Sequence, residues 1–201
     1  MRERILAAAI EVIKERGVVG ATTKEIARRA GVSEGSLYNH FANKTALFGA
    51  ALAEVAGGIR NAMMRLLGSI GENTVEDNLA VLAAAAVRFY GELLPMTGPA
   101  LGDPKILAWL RSGGPAEAGS EAVSLGGPVA GHSALIGYLE AERELGRFAK
   151  DSAYFAAALL GACQQHAFLA KLADPAAITG HARLPAEPED FARGLARTLL
   201  S

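Results

Sequence analysis

Thr22-Thr23-Lys24-Glu25-Ile26-Ala27-Arg28-Arg29-Ala30-Gly31-Val32-Ser33-Glu34-Gly35-Ser36-Leu37-Tyr38-Asn39-His40-Phe41, with Asn43-Lys44 just beyond, is the stretch on which the fold turns. Thr22 is placed to accept from the amides of a helix start, and Glu25 can reach back to the amide of Thr22, the reciprocal arrangement of a capping box. A helix therefore starts at Thr23. It buries Ile26, Ala27 and Ala30, and Gly31 ends it in the left-handed conformation that glycine tolerates. Only Val32 separates Gly31 from Ser33, a second N-cap. The helix after Ser33 carries Leu37 and Phe41 one turn apart on one face.

On the N-terminal side, Ile5, Ala8, Ala9, Val12 and Ile13 form the stripe of an amphipathic helix from Glu3 to Arg16, which Gly17 stops. On the C-terminal side, Asn43 caps a fourth helix that begins at Lys44 and carries Leu47, Phe48, Leu52 and Val55. It is expected to run on through Met63, Leu66 and Leu67, bending at Gly57 and Gly58. Thr74 with Asp77 opens a helix from Val75 to Leu93, which Pro95 is expected to end. Pro104 fits the first turn of another, covering Ile106, Leu107, Trp109 and Leu110. Residues 112–127, rich in Gly with Pro115, lack periodicity and read as a disordered loop. Pro128 starts a helix to Leu145 closed by Gly146, Asp151 caps one from Ser152 to Leu172, and the last runs from Glu187 or Pro188 to Leu200.

About nine helices result, in an all-α chain. A three-helix head, residues 1–50, is joined by the long fourth helix to a helical body, residues 51–201. Composition agrees: 201 residues with 51% apolar and 20% charged side chains can bury a substantial core, and 6% aromatics with abundant Ala and Leu favour helix over sheet. Cys163 is the only cysteine, which excludes an internal disulfide and a thiolate metal cluster within one chain. The start, Met-Arg-Glu-Arg, runs into an amphipathic pattern with no apolar signal core, so cytoplasmic residence is expected. The most apolar stretch, Ala153 to Cys163, is too short to cross a bilayer, and no membrane partner is expected.

Net charge is −1, but it is unevenly spread. Residues 1–50 hold eight Lys or Arg against five Asp or Glu, and residues 51–201 hold twelve against sixteen. A basic head on an acidic body suits phosphate neutralisation, which needs local positive charge. A supporting helix followed by two short helices across a tight turn is the arrangement that lays its last helix in the major groove of DNA. With Leu37 and Phe41 facing inward, Ser36, Tyr38, Asn39 and His40 are left for DNA. Asn39 can pair bidentately with adenine and is the expected base reader; Tyr38 can bond a phosphate or pack on a thymine methyl. Thr23, Lys24 and Lys44, at helix starts whose amides also donate, fit phosphate anchors. Glu34 can accept from a cytosine amine or merely favour its helix N terminus, and His40 can equally bond only within the protein.

This string closely resembles the DNA-binding head of the tetracycline-repressor (TetR) family of bacterial regulators, over residues 3 to about 52. The resemblance implies that Thr23, Lys24, Ser36, Tyr38, His40 and Lys44 touch DNA. Glu34 and Gly35 stand where the family varies and are kept as contact candidates. One departure is that helix one begins almost at Met1, leaving no basic arm for the minor groove.

A single short recognition helix reads few bases, so a palindromic duplex operator bound by a homodimer is expected. Ala156, Ala157, Leu160, Cys163 and Ala167, with Phe191, Leu195 and Leu199, are the expected dimer faces, packing as a four-helix bundle; family members usually dimerise through these two helices. Met63, Met64, Phe89, Met96, Trp109, Tyr138, Tyr154 and His166 are candidates to line an effector cavity. Most of them serve equally as ordinary core. With few charges there, a hydrophobic or aromatic small molecule is the expected effector of a ligand-responsive repressor. No cofactor or metal is expected. No nucleophile with its base and no phosphate loop is present, and the four histidines are scattered, so the chain does not read as an enzyme. The alternative is a helical small-molecule-binding dimer whose head no longer binds DNA.

Overall fold

Gly17 breaks the first helix as its position predicts. Its φ of 71° and ψ of 165° interrupt α1 (Arg2–Gly20), and the amide of Ala21 closes the turn on the Gly17 carbonyl at 3.1 Å. The computed structural model describes residues 1–97, 127–172, 185 and 187–201. Trp109, the helix expected from Pro104 and nearly all of residues 112–127 lie outside them. After α1 come α2 (Thr23–Ala30), α3 (Glu34–Tyr38), α4 (Lys44–Val55), α5 (Gly57–Gly68), α6 (Val75–Thr97), α7 (Gly127–Glu144), α8 (Ser152–Leu172) and α9 (Pro188–Leu200). Among the described residues the chain is thus all-helical, with nine helices and no strand.

The caps are those the sequence predicts. Ser33 Oγ accepts from the amide of Ser36 at 3.1 Å, Asn43 Oδ1 from Ala46 at 2.8 Å, and Asp151 Oδ1 from Ala153 and Tyr154 at 3.0 Å each. Each such cap contributes about 1 kcal/mol. Gly31 and Gly146 take φ of 64° and 71°. The capping box at Thr22 is half made: Thr22 Oγ1 accepts from Glu25 N at 3.3 Å, but the Glu25 carboxylate goes across to Arg16 at 2.8 Å.

Two expectations are corrected. The fourth helix does not run on, since α4 stops at Val55 and α5 starts anew at Gly57. Pro95 does not end α6, which continues to Thr97. A proline in the last turn removes only one ladder bond, the one to Gly91 O, while Thr97 Oγ1 donates to Leu93 O at 3.0 Å and Met96 is held by complete burial.

The chain divides into two compact units. The first takes in Met1–Gly57 and the end of α6 from Glu92. Its core is Ile5, Ala9, Val12 and Ile13 of α1, Ile26 of α2, Leu37 of α3 and Leu47 of α4, all fully buried, with Phe41, Phe48 and Met96 packed among them. Each large side chain here contributes about 1.5–3 kcal/mol by leaving water. Arg29 of α2 clamps Glu15 of α1 through both terminal guanidinium nitrogens, at 2.5 and 2.8 Å, and Lys14 pairs with Glu92 at 3.0 Å.

The second unit comprises Gly58–Gly91 and Pro128–Ser201. Leu79, Leu82, Ala83 and Ala86 of α6, Leu135, Tyr138 and Leu139 of α7, and Ala156, Leu159 and Cys163 of α8 are fully buried. By length and composition α6 could cross a bilayer, but its buried leucines are the packing of a core helix. Glu142 of α7 is fully buried too, and is compensated: the amide of Gly71 donates to Oε1 at 3.0 Å and Arg147 pairs with Oε2 at 3.0 Å. Beside it the Tyr138 phenol accepts from Asn78 at 3.0 Å, and burial pushes its pKa up to about 12.

Candidate nucleic-acid interface

α3 is held from behind and open in front. Leu37 is fully buried and Phe41 nearly so, which fixes the helix against the core of the first unit, and the Arg2 guanidinium lies 5.1 Å over the Phe41 ring. The opposite side leaves Glu34, Gly35, Tyr38, Asn39 and His40 exposed and Ser36 half-buried. The helix itself ends at Tyr38, so Asn39 stands at its C-cap with ordinary right-handed backbone, and His40 follows in the turn. The open side thus carries amide, hydroxyl and imidazole groups of the kind that read base edges.

The flanking helices α2 and α4 carry three cations to be weighed with this face. Lys24 at the start of α2 is exposed, and Lys44 at the start of α4 is half-buried, its ammonium 5.0 Å over the Phe48 ring. Arg28, one turn on from Lys24, is exposed as well and was overlooked from sequence, although its i+4 spacing was the available signal. Among the described residues none of the three pairs with a carboxylate, whereas Lys14, Arg16 and Arg29 of the same unit all do. Charge left uncommitted beside an exposed polar helix is what phosphate contacts require.

Thr23 is placed differently from the rest. It is 9% exposed, and its hydroxyl donates to Glu34 Oε1 at 2.5 Å while accepting from the Tyr38 phenol at 3.3 Å. Sequence spacing does not reveal this tertiary contact across the turn.

The residues singled out in the body fall into several places. Met63, Tyr138 and His166 are buried in the second unit, Phe89 is half-buried and packs on Tyr90 at 5.3 Å, and His166 stacks on Phe191 at 3.9 Å. Met96 belongs to the core of the first unit, Met64 is 51% exposed and Tyr154 82% exposed. Two polar groups of the second unit were passed over: His132, whose buried Nε2 has no hydrogen-bond partner among the described residues, and Tyr90, whose pKa burial raises. No group of three or more metal-ligating side chains occurs among the described residues.

Of the residues expected to meet a second copy, Ala156, Cys163, Ala167 and Phe191 lie in the chain's own core and have almost no surface to offer. Burial also pushes the Cys163 thiol up to about 12, and its Sγ faces Ala83 O at 3.6 Å. Ala157 is exposed, and Leu160, Leu195 and Leu199 are half-buried. The apolar side of α8 that stays open is the adjoining one: Tyr154, Ala157, Ala158, Gly161, Phe168 and Leu172.

Comparison with known proteins bears on both parts. Residues 5–51 match the family described as bacterial regulatory proteins, tetR family. The HTH-type transcriptional regulator BetI of Escherichia coli (strain K12 / DH10B) is 32% identical over 81 residues, covering 40% of this chain and 42% of BetI. The match therefore spans less than half the length of that regulator. Among solved structures, the fatty acid degradation regulator FadR of Bacillus halodurans has a TM-score of 0.69 at 18% identity, over 100% of this chain and 94% of that one. FadR of Bacillus subtilis, in complex with stearoyl-CoA, has a TM-score of 0.61 at 19% identity, over 100% and 98%. These two likenesses establish the fold. Residues 5–51 thus match the head of the tetR family of bacterial regulatory proteins, and the chain as a whole has the fold of the two FadR structures.

Proposed function

We propose that the protein is a DNA-binding transcriptional regulator, a ligand-responsive repressor that holds a palindromic operator as a homodimer. The observation that carries this reading is the exposed side of α3, with Tyr38, Asn39 and His40 free of the core; Lys24 and Arg28 of α2 and Lys44 of α4, which form no ion pair among the described residues, add to it. Asn39 reads a base edge, Tyr38 and Ser36 meet the backbone or a thymine methyl, and the cations hold the flanking phosphates.

Dimerisation uses the open side of α8 with the half-buried Leu195 and Leu199 of α9. Tyr154, Phe168 and Leu172 are 82%, 48% and 65% exposed in the single chain, an apolar stripe that a second copy covers. The effector is an apolar or aromatic small molecule held in the second unit, and the stearoyl-CoA bound by the Bacillus subtilis relative makes a long acyl thioester the first probe. Its signal reaches the head along α6, which contributes Val75–Gly91 to one unit and, from Glu92, Met96 and the Lys14 partner to the other. The protein acts in the cytoplasm, where its DNA is.

Selection of duplexes from a random pool by the purified protein tests the reading. Enrichment of a two-fold-symmetric sequence, with half-sites about one helical turn apart, is expected. A pool that stays random after several rounds, with protein shown to be folded, defeats it.

A further inference from the structure

Two hydroxyl groups of the head, those of Tyr38 and Thr23, are engaged with one another and with a carboxylate. The Tyr38 phenol donates to Thr23 Oγ1 at 3.3 Å, and Thr23 passes its own proton to Glu34 Oε1 at 2.5 Å. Each hydroxyl has a single proton to give, so both are spent on a chain that ends in a carboxylate. Glu34 is exposed, stands in the first turn of α3 beside Gly35 and Ser36, and forms no ion pair among the described residues. A carboxylate oxygen there has the charge and the acceptor geometry of a DNA phosphate oxygen.

We infer that Glu34 is a specificity-determining residue that fills the place of a backbone phosphate until the right sequence displaces it. This rests on the reading of the head as a DNA-binding domain and goes beyond it. For a phosphate to take the two protons, the Glu34 side chain has to swing out, leaving its charge close to the phosphates. Electrostatic binding to arbitrary DNA provides nothing beyond backbone contacts to offset that repulsion. Cognate DNA adds the base contacts of Asn39 and its neighbours, and so overcomes it. Glu34 therefore weakens non-cognate binding more than cognate binding.

The test compares the wild-type protein with Glu34→Gln, which keeps an acceptor for Thr23 but removes the charge, and with Glu34→Ala, which removes both. Binding is measured by fluorescence anisotropy on the selected operator and on a scrambled duplex of equal length, across a range of salt. For Glu34→Gln we expect affinity for scrambled DNA to rise about three- to tenfold at low salt, by the size of one charge near the phosphates. The gain on operator is smaller, so the ratio of the two affinities falls, and the salt slope steepens by up to about 0.9. Glu34→Ala shows the same loss of discrimination, which a purely structural role for the hydrogen bond does not produce in both variants. Unchanged or weaker binding of Glu34→Gln to scrambled DNA overturns the inference. If the wild-type protein binds neither duplex, the reading of the head itself has failed, a distinguishable result.

Discussion

Gly35→Ala is expected to make the protein more stable and a poorer DNA binder. Gly35 lies in α3 without a positive φ, is exposed, and a Cβ added there meets only Ser33 Oγ at 3.9 Å, an ordinary contact. Nothing among the described residues requires glycine there. Alanine should therefore recover most of the helical difference between the two residues, about 0.5–1 kcal/mol, with the first-turn position favouring the lower figure. For a chain of this length that raises the melting temperature by about 1–4 °C. The same methyl projects from the side of the helix that carries Tyr38 and Asn39. If DNA lies in van der Waals contact with that side, operator affinity falls by about tenfold or more, equivalent to 1.4 kcal/mol. Differential scanning fluorimetry and anisotropy on the selected operator give the two numbers. Because their signs oppose, a misfolded variant cannot imitate the result. Raised stability with unaltered operator affinity would refute the placement of DNA on this side of α3.

Tyr38→Ala should lower operator affinity by about 1–3 kcal/mol while leaving the melting temperature nearly unchanged, since the ring is 44% exposed; titration of both proteins checks it. Arg147→Met removes the cation that pairs with the buried Glu142 carboxylate and should cost about 2–3 kcal/mol in urea denaturation, less than a fully buried pair because Arg147 is 27% exposed. Tyr154→Asp with Leu172→Glu should convert a dimer to monomers in sedimentation; a dimer of undiminished stability would exclude the open side of α8. The Cys163 thiol and Tyr138 phenol have folded pKa values of about 12, above their ordinary 9.0 and 10.0. The folded state thus keeps protons that the unfolded state gives up, and stability falls as pH rises from about 9 to about 12. Cys163→Ala should move the alkaline unfolding midpoint upward, read by circular dichroism.

The parts of this fold that the sequence makes legible are those decided within a turn or two of chain. Ser33, Asn43 and Asp151 cap because the oxygen and the amides it serves are neighbours, and Gly31 and Gly146 close helices for the same local reason. Pro95 was misread because a tertiary fact, the burial of Met96, outweighs a local preference. Periodicity on α8 also misleads. Ala156, Cys163 and Ala167 form one apolar face and Ala157, Gly161 and Phe168 another, and hydrophobicity alone does not tell which of two apolar faces is turned inward. The Thr23–Glu34 contact was out of reach, since nothing in the residue types at eleven positions' separation announces that the turn brings them together.

If the bare side of α8 pairs two chains as proposed, it has a consequence for gene dosage. Where chains are scarce relative to their pairing affinity, the number of two-headed molecules follows the square of the amount synthesised. Halving expression would then quarter the supply able to occupy an operator. Sensitivity of the controlled promoter to the cell's own output of this chain would then be written into Tyr154, Phe168 and Leu172, far along the sequence from the residues proposed to meet DNA.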